Sequence, residues 1–244
     1  MTIDVNCDMG EGLDNERQLL PYISSCNIAC GGHAGDKETI ERVAVLAQTN
    51  SIKIGAHPSY SDKKNFGRLV LDISNEELKN SIKFQLKTFN NVLSSLGLKM
   101  NHIKAHGALY NVLAKDNSIA KTFLEAISTY KKNVKLYVPY NSVIEEQAKH
   151  QGFTIVQEAF CDRNYMDDLS LVARKNEHAL ITKPKEVLNH VLNMVQNESV
   201  QTVSRNLKKI KADTFCIHSD TPNAIEILMY LFKELPKYNI KIGY

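Results

Sequence analysis

Residues 25–50, SCNIACGGHAGDKETIERVAVLAQTN, contain the unit that decides the fold. The first five residues are mostly apolar and predict a short buried strand. A glycine-rich turn follows, and then Ile40, Val43 and Ala47 recur at the spacing of one helix face. The stretch therefore predicts a strand, a polar loop and an amphipathic helix, which together are the repeating unit of α/β proteins.

The same alternation repeats along the chain. Seven strands are predicted, at residues 3–8, 25–29, 52–56, 100–104, 134–138, 153–158 and 214–218. A weaker eighth strand is predicted near residues 179–182. Several of these segments are apolar almost throughout, which is typical of a parallel sheet covered on both faces.

Predicted helices connect the strands. The clearest begins at Ser74, which forms a capping box with Glu77, and ends at Gly97, a residue type that commonly terminates helices. Further helices are predicted over residues 36–50, after residue 117, over residues 142–149 and from Thr221-Pro222 onward. The last helix is expected to bury Ile225, Leu228, Phe232 and Leu235 on one face.

Strand and helix units without an intervening linker predict an α/β fold with a parallel sheet. The 244 residues fit one domain over 1–244. Seven or so units favour a closed (β/α) barrel, and an open, doubly wound sheet is the alternative. The polar connection over residues 162–175 has a length that is often found in functional loops.

The composition argues against several classes of function. The 30 basic and 27 acidic residues give a net charge of +3, which is too balanced to indicate nucleic acid or an acidic membrane as a partner. The basic group Lys208, Lys209 and Lys211 is expected to form a solvated face. No apolar run approaches the roughly 20 residues that span a bilayer, and the first residues lack the pattern of a signal peptide. A cytoplasmic location is therefore expected.

The five cysteines favour buried thiols over disulfides. Their number is odd and they include no CxxC pair. Cys26 and Cys30 lie four residues apart, but no second pair completes a zinc site. Free cysteine is among the most buried residue types.

Polar and titratable side chains close most of the predicted strands or follow them. They are Asn6, Asp8 and Glu11 at the first strand, His33 and Asp36 after the second, His57 after the third, Lys104 and His106 at the fourth, Glu158, Asp162 and Arg163 at the sixth, and His218 and Asp220 at the last. In α/β barrels the active site lies at the carboxyl ends of the strands. We therefore expect these groups to meet in one site. The remaining histidines, His102, His150, His178 and His190, are expected to be structural or exposed.

Some of these residues have a structural alternative. Asp36 precedes a predicted helix and could serve as its N-cap. Lys104 and His106 are two residues apart, so they point to the same side of an extended strand, where the lysine could bind a carboxylate or an oxyanion. Arg163 and Arg174 could bind a carboxylate through two hydrogen bonds each, or could form structural salt bridges.

Several nucleotide and nucleophile motifs do not occur in the sequence. These are the phosphate loop G-x-x-x-x-G-K-[ST], the dinucleotide fingerprint G-x-G-x-x-G and the nucleophile elbow G-x-S-x-G. The sequence by itself does not indicate a nucleotide site.

Nearly the whole chain resembles the LamB/YcsF family, the family of the A subunit of bacterial ATP-dependent 5-oxoprolinase. The resemblance lies in residues 6–12, 27–36, 54–58, 66–68, 106–111, 162–165 and 218–222. It implies a seven-stranded barrel of the glycoside hydrolase/deacetylase type. It also implies cleavage of 5-oxo-L-proline to L-glutamate coupled to hydrolysis of ATP, with Mg²⁺ and with partner subunits B and C that themselves could bind the nucleotide.

The implied reaction assigns expected roles to the strand-end residues. Ring opening of a lactam needs an activated carbonyl, which ATP can provide by phosphorylating the lactam oxygen, and a water delivered by a general base. Catalytic roles are expected for Asp8, Glu11, His57, Lys104 and His106. Substrate-binding roles are expected for Asn6, His33, Asp36, Arg163, Arg174, His218 and Asp220.

Two other functions stay open on the residues. One is a stand-alone metal-dependent deacetylase or amidohydrolase, in which Asp8, His57 and His106 ligate a divalent ion. The other is a carrier that hands small ligands to partner subunits without catalysis.

Overall fold

The computed structural model describes residues 1–243. Its strands are β1 (Thr2–Met9), β2 (Ser25–Ala29), β3 (Lys53–His57), β4 (His102–Ile103), β5 (Lys135–Pro139), β6 (Ile155–Phe160), β7 (Ser199–Gln201), β8 (Leu207–Lys209), β9 (Thr214–Ile217) and β10 (Lys241–Ile242). Each of the seven predicted strands is present within a few residues of its expected limits.

Seven parallel strands form a closed barrel. Their order is β1-β2-β3-β4-β5-β6-β9, and β1 also pairs with β9. Cys7 of β1 is thus paired with Cys26 on one side and with Ile217 on the other. This pairing confirms the closed barrel and excludes the open, doubly wound sheet. The short strand β10 adds to β1, while β7 and β8 form a separate antiparallel hairpin.

Helices surround the barrel. They are α1 (Glu16–Leu19), α2 (Lys37–Thr49), α3 (Asn75–Ser95), α4 (Gly107–Leu113), α5 (Asn117–Ala126), α6 (Val143–His150), α7 (Pro184–Asn197) and α8 (Ala224–Glu234). Short 3-10 helices cover Leu20–Tyr22, Ser128–Tyr130 and Leu235–Tyr238. The predicted capping box of α3 is present, because Ser74 accepts a hydrogen bond from the Glu77 amide and Glu77 binds the Ser74 amide in return. Within residues 1–243, none of these helices is both long and apolar enough to cross a bilayer.

The strands separate apolar from polar side chains by their period of two residues. On β1, Val5 and Cys7 are fully buried in the apolar core. Asn6 and Asp8 point to the opposite side, where Asn6 reaches Glu158 of β6 and Asp8 reaches Lys104 beyond β4. Polar groups from distant strands therefore meet inside the barrel.

Two predictions of secondary structure are wrong. Residues 179–182 form no strand, since Leu180 makes a single isolated bridge with Arg163 of the long loop. The last helix begins at Ala224 rather than at Thr221-Pro222, because the Thr221 hydroxyl donates to Asp162 and does not cap the helix.

The buried face of α8 also differs from the predicted one. It consists of Ala224, Ile227, Leu228 and Leu231. Leu228 and Leu235, the latter in the following 3-10 helix, are buried as expected. Phe232, which was expected inside, is 49% exposed and packs its ring against Tyr22. The helices α4 and α7 and the β7–β8 hairpin were not predicted. Lys208 and Lys209 lie on β8 and Lys211 follows it, in a partly to fully exposed position that matches the expected solvated face. All five cysteines are buried and free, as expected.

Candidate active site

A cavity of about 210 Å³ opens at the carboxyl ends of the barrel strands. The predicted site residues that line it are Asp8, His57, Lys104, His106, Arg163, Arg174 and His218. They come from five different segments of the chain. The structure therefore brings together groups whose convergence was expected from their positions after strands.

A buried ion-pair network forms the floor of the cavity. The Lys104 ammonium lies 3.1 Å from Asp8 Oδ1 and 2.9 Å from Glu158 Oε1, and all three side chains are at most 3% exposed. Burial by itself lowers the pKa of Lys104, but the nearby carboxylates, Asp8 first, raise it well above its ordinary value. Burial likewise acts to raise the pKa of Asp8, but His57 and Lys104 hold it well below its usual range. Asp8 and Lys104 therefore form a charged pair at neutral pH.

Amide groups below the floor hold the Asp8 carboxylate in place. The Asn27 side-chain amide donates to Asp8 Oδ1 over 2.8 Å and to Asn6 Oδ1 over 2.7 Å. Asn27 in turn is bonded through its oxygen to His102 Nε2 at 2.7 Å. Asn6 was expected to bind substrate, but it lies fully buried in this network and is not among the residues that line the cavity.

Three histidines and Glu11 lie side by side at one edge of the floor. His57 Nε2 lies 3.0 Å from His106 Nδ1 and 3.3 Å from Asp8 Oδ2. Glu11 Oε1 lies 3.4 Å from His106 Nδ1 and 2.9 Å from His33 Nε2. The rings of His33 and His106 are stacked with centroids 3.6 Å apart. Burial lowers the pKa of His33 and, more strongly, that of His106, whose pKa the neighbouring histidines lower further.

A second carboxylate–histidine pair faces the cavity from β9. His218 Nδ1 lies 3.1 Å from Asp162 Oδ2, and the same carboxylate accepts the His218 amide over 3.0 Å. Burial opposes ionisation of Asp162, but His218 and Thr221 lower its pKa to about 2. Because Asp162 holds Nδ1 of the ring, Nε2 is left for chemistry in the cavity.

Arginines form the opposite wall. Arg163 is buried and donates through Nε and Nη2 to the carbonyls of Ala179 and Val172. Arg174 and Arg68 both bind Asp220, with Arg174 Nη1 3.0 Å from Asp220 Oδ2. Arg174 and Asp220 therefore form a salt bridge at the entrance of the cavity. This is the structural alternative that was considered for Arg174.

Asp36 lies away from this group. Its exposed carboxylate accepts a hydrogen bond from the Thr39 amide over 2.8 Å and caps α2, and it does not line the cavity. The N-cap interpretation of Asp36 is thus the one that the structure supports.

Two side chains of the site, Asn27 and Arg68, were not among the predicted strand-end groups, while Glu158 and Asp162 were among them but had no assigned role. Glu158 lies near the end of β6 and Asp162 just beyond it. Asn27 lies inside β2, and the signal for it in the sequence was a polar residue between the apolar Cys26 and Ile28. Nothing local in the sequence distinguishes Arg68 from the other basic residues.

A closed parallel barrel with carboxylates, histidines and arginines at its carboxyl rim defines an α/β-barrel protein with an enzyme-like cavity. The chain belongs to the LamB/YcsF family, whose model matches residues 3–243. The 5-oxoprolinase A subunit of Staphylococcus saprophyticus is 39% identical over 247 residues, which cover 99% of this chain and 98% of the relative.

Solved structures agree with this assignment. A lactam utilization protein from Thermus thermophilus superposes with a TM-score of 0.92 at 31% identity, over 100% of this chain and 99% of the other. A mutant CE4 family pseudoenzyme with restored activity superposes with a TM-score of 0.51 at 12% identity, over 100% of this chain and 65% of the other. The second likeness concerns the fold alone, which is the expected barrel type.

Proposed function

We propose that this chain is the ring-opening A subunit of an ATP-dependent 5-oxoprolinase, which converts 5-oxo-L-proline to L-glutamate together with subunits B and C. The proposal is supported by relatives that are named as the 5-oxoprolinase A subunit or as a lactam utilization protein. The observation that carries it is one small cavity with Asp8 and His218 on its floor and arginines on its wall. At about 210 Å³ the cavity has room for a small acid, and a second cavity of about 520 Å³ adjoins it and shares Arg68, Tyr110 and Phe160 with it.

The arginine wall supplies the anchor for the ring carboxylate. A guanidinium has five N–H donors. Arg163 donates from only two of its three nitrogens to backbone carbonyls, and Arg174 binds Asp220 through Nη1. The remaining donors of both side chains are offered to a carboxylate, with the lactam ring then pointing to the floor.

The floor supplies a general base, a general acid and a positive charge. Asp8 removes a proton from water as the water oxygen adds to the activated ring carbon, and the Lys104 ammonium stabilises the negative charge of the phosphorylated lactam oxygen. His218, held by Asp162, acts as the general acid and gives a proton to the lactam nitrogen as the C–N bond breaks. A carboxylate oxygen of Asp8 and a ring nitrogen of His218 lie within 4.8 Å of each other, so both can act on one amide.

ATP enters the proposal as the activating reagent. Transfer of the terminal phosphoryl group to the lactam oxygen releases ADP and makes the ring carbon a better electrophile. Addition of water and cleavage of the C–N bond then give γ-glutamyl phosphate, and a second water hydrolyses this acyl phosphate to L-glutamate and inorganic phosphate. In the proposal ATP and Mg²⁺ bind to the partner subunits, and this chain receives the activated ring.

The test is release of glutamate from 5-oxo-L-proline by this chain assembled with subunits B and C and supplied with ATP. Asp8→Asn and His218→Ala should each lower the rate at least about 100-fold, as expected for loss of a general base or acid. Glu125→Gln serves as the control, since this carboxylate pairs with Lys79 on the outer surface. Near-normal turnover in both site variants would refute the assigned roles, and no glutamate from the wild-type complex would refute the function.

The cluster of imidazole and carboxylate donors favours one second candidate, a stand-alone metal-dependent deacetylase or amidohydrolase. The same assay separates the two. Amide hydrolysis by the isolated chain without ATP would support the second candidate, whereas dependence on ATP and on both partner subunits supports the first.

A further inference from the structure

The protonation of two cavity histidines is fixed by backbone carbonyls. His57 Nδ1 lies 2.9 Å from the Lys104 carbonyl oxygen, and His106 Nε2 lies 2.9 Å from the Phe66 carbonyl oxygen. A carbonyl only accepts, so each of these nitrogens carries a proton. In the neutral rings the lone pairs are therefore on His57 Nε2 and His106 Nδ1.

These two lone pairs face each other at 3.0 Å. Such an arrangement is repulsive unless a positive charge lies between the two nitrogens. Two carboxylates aim at the same point, with Glu11 Oε1 3.4 Å from His106 Nδ1 and 4.0 Å from His57 Nε2, and Asp8 Oδ2 3.3 Å from His57 Nε2. A single proton can join only two of these atoms, so the cluster holds more electron-pair donors than a proton can use.

The spacing of the donors matches the coordination shell of a metal ion. With metal–ligand bonds of about 2.1 Å, neighbouring ligand atoms are about 3.4 Å apart in tetrahedral geometry and about 3.0 Å apart in octahedral geometry. Two of the three separations among His57 Nε2, His106 Nδ1 and Glu11 Oε1, 3.0 and 3.4 Å, equal these values, and the third, 4.0 Å, is longer than either. The ligands are also oriented from outside, as metal-binding histidines usually are, by a carbonyl on the other ring nitrogen.

We propose that His57, His106 and Glu11 bind one divalent transition-metal ion of the zinc type at the edge of the cavity. Mixed imidazole and carboxylate ligands select such ions over Mg²⁺ and Ca²⁺, which prefer oxygen alone. His33 Nε2, 2.9 Å from Glu11 Oε1, positions the carboxylate. Because His57 and His106 line the cavity, the ion has an open side toward a bound substrate or water.

The direct test measures metal and not turnover. The whole chain is stripped with a chelator, dialysed and titrated with Zn²⁺ by calorimetry and with Co²⁺ by visible absorption, and bound metal is counted by elemental analysis. We expect one ion per chain and Co²⁺ bands with the intensity of a low-coordinate site. Glu11→Gln, which keeps the size of the side chain, and His106→Ala should each weaken binding at least about 100-fold, while His33→Ala should weaken it about 10- to 100-fold.

A surface histidine provides the matched control. His150 has a 79% exposed side chain on α6, and His150→Ala should leave the stoichiometry and the affinity unchanged. Circular dichroism and thermal unfolding identify any variant that fails to fold, and the wild-type titration tests the proposal without variants. No saturable uptake by the wild-type chain, or undiminished uptake in Glu11→Gln, would overturn the proposal and leave a shared proton between the two rings.

The outcome is independent of the proposed reaction. A chain that binds metal in this site but does not open 5-oxo-L-proline with its partners refutes the proposed function and leaves the metal site standing. A chain that supports ring opening after complete removal of metal refutes a role for the ion in catalysis, while the binding titration still decides the site.

Discussion

Lys104 is the single residue on which the floor of the cavity depends, because one ammonium balances two buried carboxylates. Replacing it with the similarly long but neutral methionine removes the cation that pairs with both Asp8 and Glu158. We expect Lys104→Met to lower the free energy of unfolding by about 3–5 kcal/mol, the usual cost of breaking a buried ion pair from one side. Urea denaturation monitored by circular dichroism measures the change.

A double variant separates the electrostatic cause from loss of packing. Adding Glu158→Gln to Lys104→Met removes one of the two unpaired charges, so part of the lost stability should return. A double variant that is less stable than the single variant would show that the ion pair is not the main contribution of Lys104.

Asp162 predicts a pH dependence of stability. Its pKa is lowered to about 2 in the folded chain, against roughly 3.9 for an unperturbed aspartate. The stabilisation from its ionised form is therefore complete above the unfolded pKa and is lost as the pH falls from about 4 to about 2. With about 1.4 kcal/mol per pKa unit, this contribution is about 2–3 kcal/mol. Asp162→Asn should lack it, so the difference in unfolding free energy from wild type should shrink across this pH range.

Asp168 is the control for this pH profile. Its pKa is also lowered to about 2, through Ser170 and Lys115, but its side chain is 59% exposed. Solvent screens such a group, so Asp168→Asn should change the profile much less than Asp162→Asn does. Equal profiles for the two variants would contradict the special role of the buried pair with His218.

At this scale the sequence predicted the residues of the cavity better than their partners. Asp8, His57 and His106 are visible because a polar residue directly after an apolar strand stands out. The role of Asp162 depends on the path of the chain from β6 to β9, which no local pattern contains. Asn6 follows the same pattern as Asp8 but lies deeper in the barrel, so alternation alone could not tell a floor residue from one below the floor.

The start of α4 depends on a close approach of two loops. Gly107 has φ +59°, and a Cβ at this position would lie 2.6 Å from the Gly67 carbonyl oxygen. The same contact includes the hydrogen bond from the Ala108 amide to Gly67. It also places the Phe66 carbonyl beside His106. The element therefore positions a cavity histidine through backbone contacts.

We expect Gly107→Ala to destabilise the chain more than its backbone conformation alone explains. Gly97 at the end of α3 has a similar φ of +69° with no atom within 4 Å of an added Cβ, so Gly97→Ala reports the conformational cost, about 1 kcal/mol. Gly107→Ala adds a clash with backbone that cannot move freely, and a loss of a further 1–3 kcal/mol or so is expected. Equal losses for both variants, measured by urea denaturation, would mean that the two loops separate without cost.

Among the elements, helices with strong end signals were predicted well and those set by tertiary contacts were not. The limits of α3 follow from Ser74, Glu77 and Gly97, which act locally. The limits of α8 follow from Thr221, whose hydroxyl is used by Asp162, and the helix starts two residues later than its sequence indicates. That shift is accompanied by a different buried face, on which Leu231 replaces Phe232.

For the whole molecule, the number of strands was predictable and the closure of the barrel was not. Apolar runs mark each strand locally. Closure requires β1 to pair with β9, which brings Asp4 beside Thr214 at the other end of the chain, and strand patterns do not contain that pairing. The family resemblance, carried by residues spread over the whole length, supplied this part of the prediction.

A closed barrel predicts how the molecule opens. β1 is bonded on both sides, to β2 and to β9, so its amides have no free edge from which to open locally. We expect hydrogen exchange at residues 5–8 to proceed only through global unfolding, and its rate to follow the unfolding free energy as denaturant is added. The β7–β8 hairpin pairs only within itself and has a partly exposed strand at Leu207–Lys209, so its amides should exchange through local opening with little dependence on denaturant. If the amides of β1 exchanged as easily as those of the hairpin, the pairing between β1 and β9 would open locally in solution. The cavity floor, which places Asp8 of β1 against Lys104 beyond β4 and His218 beyond β9, would then open with it.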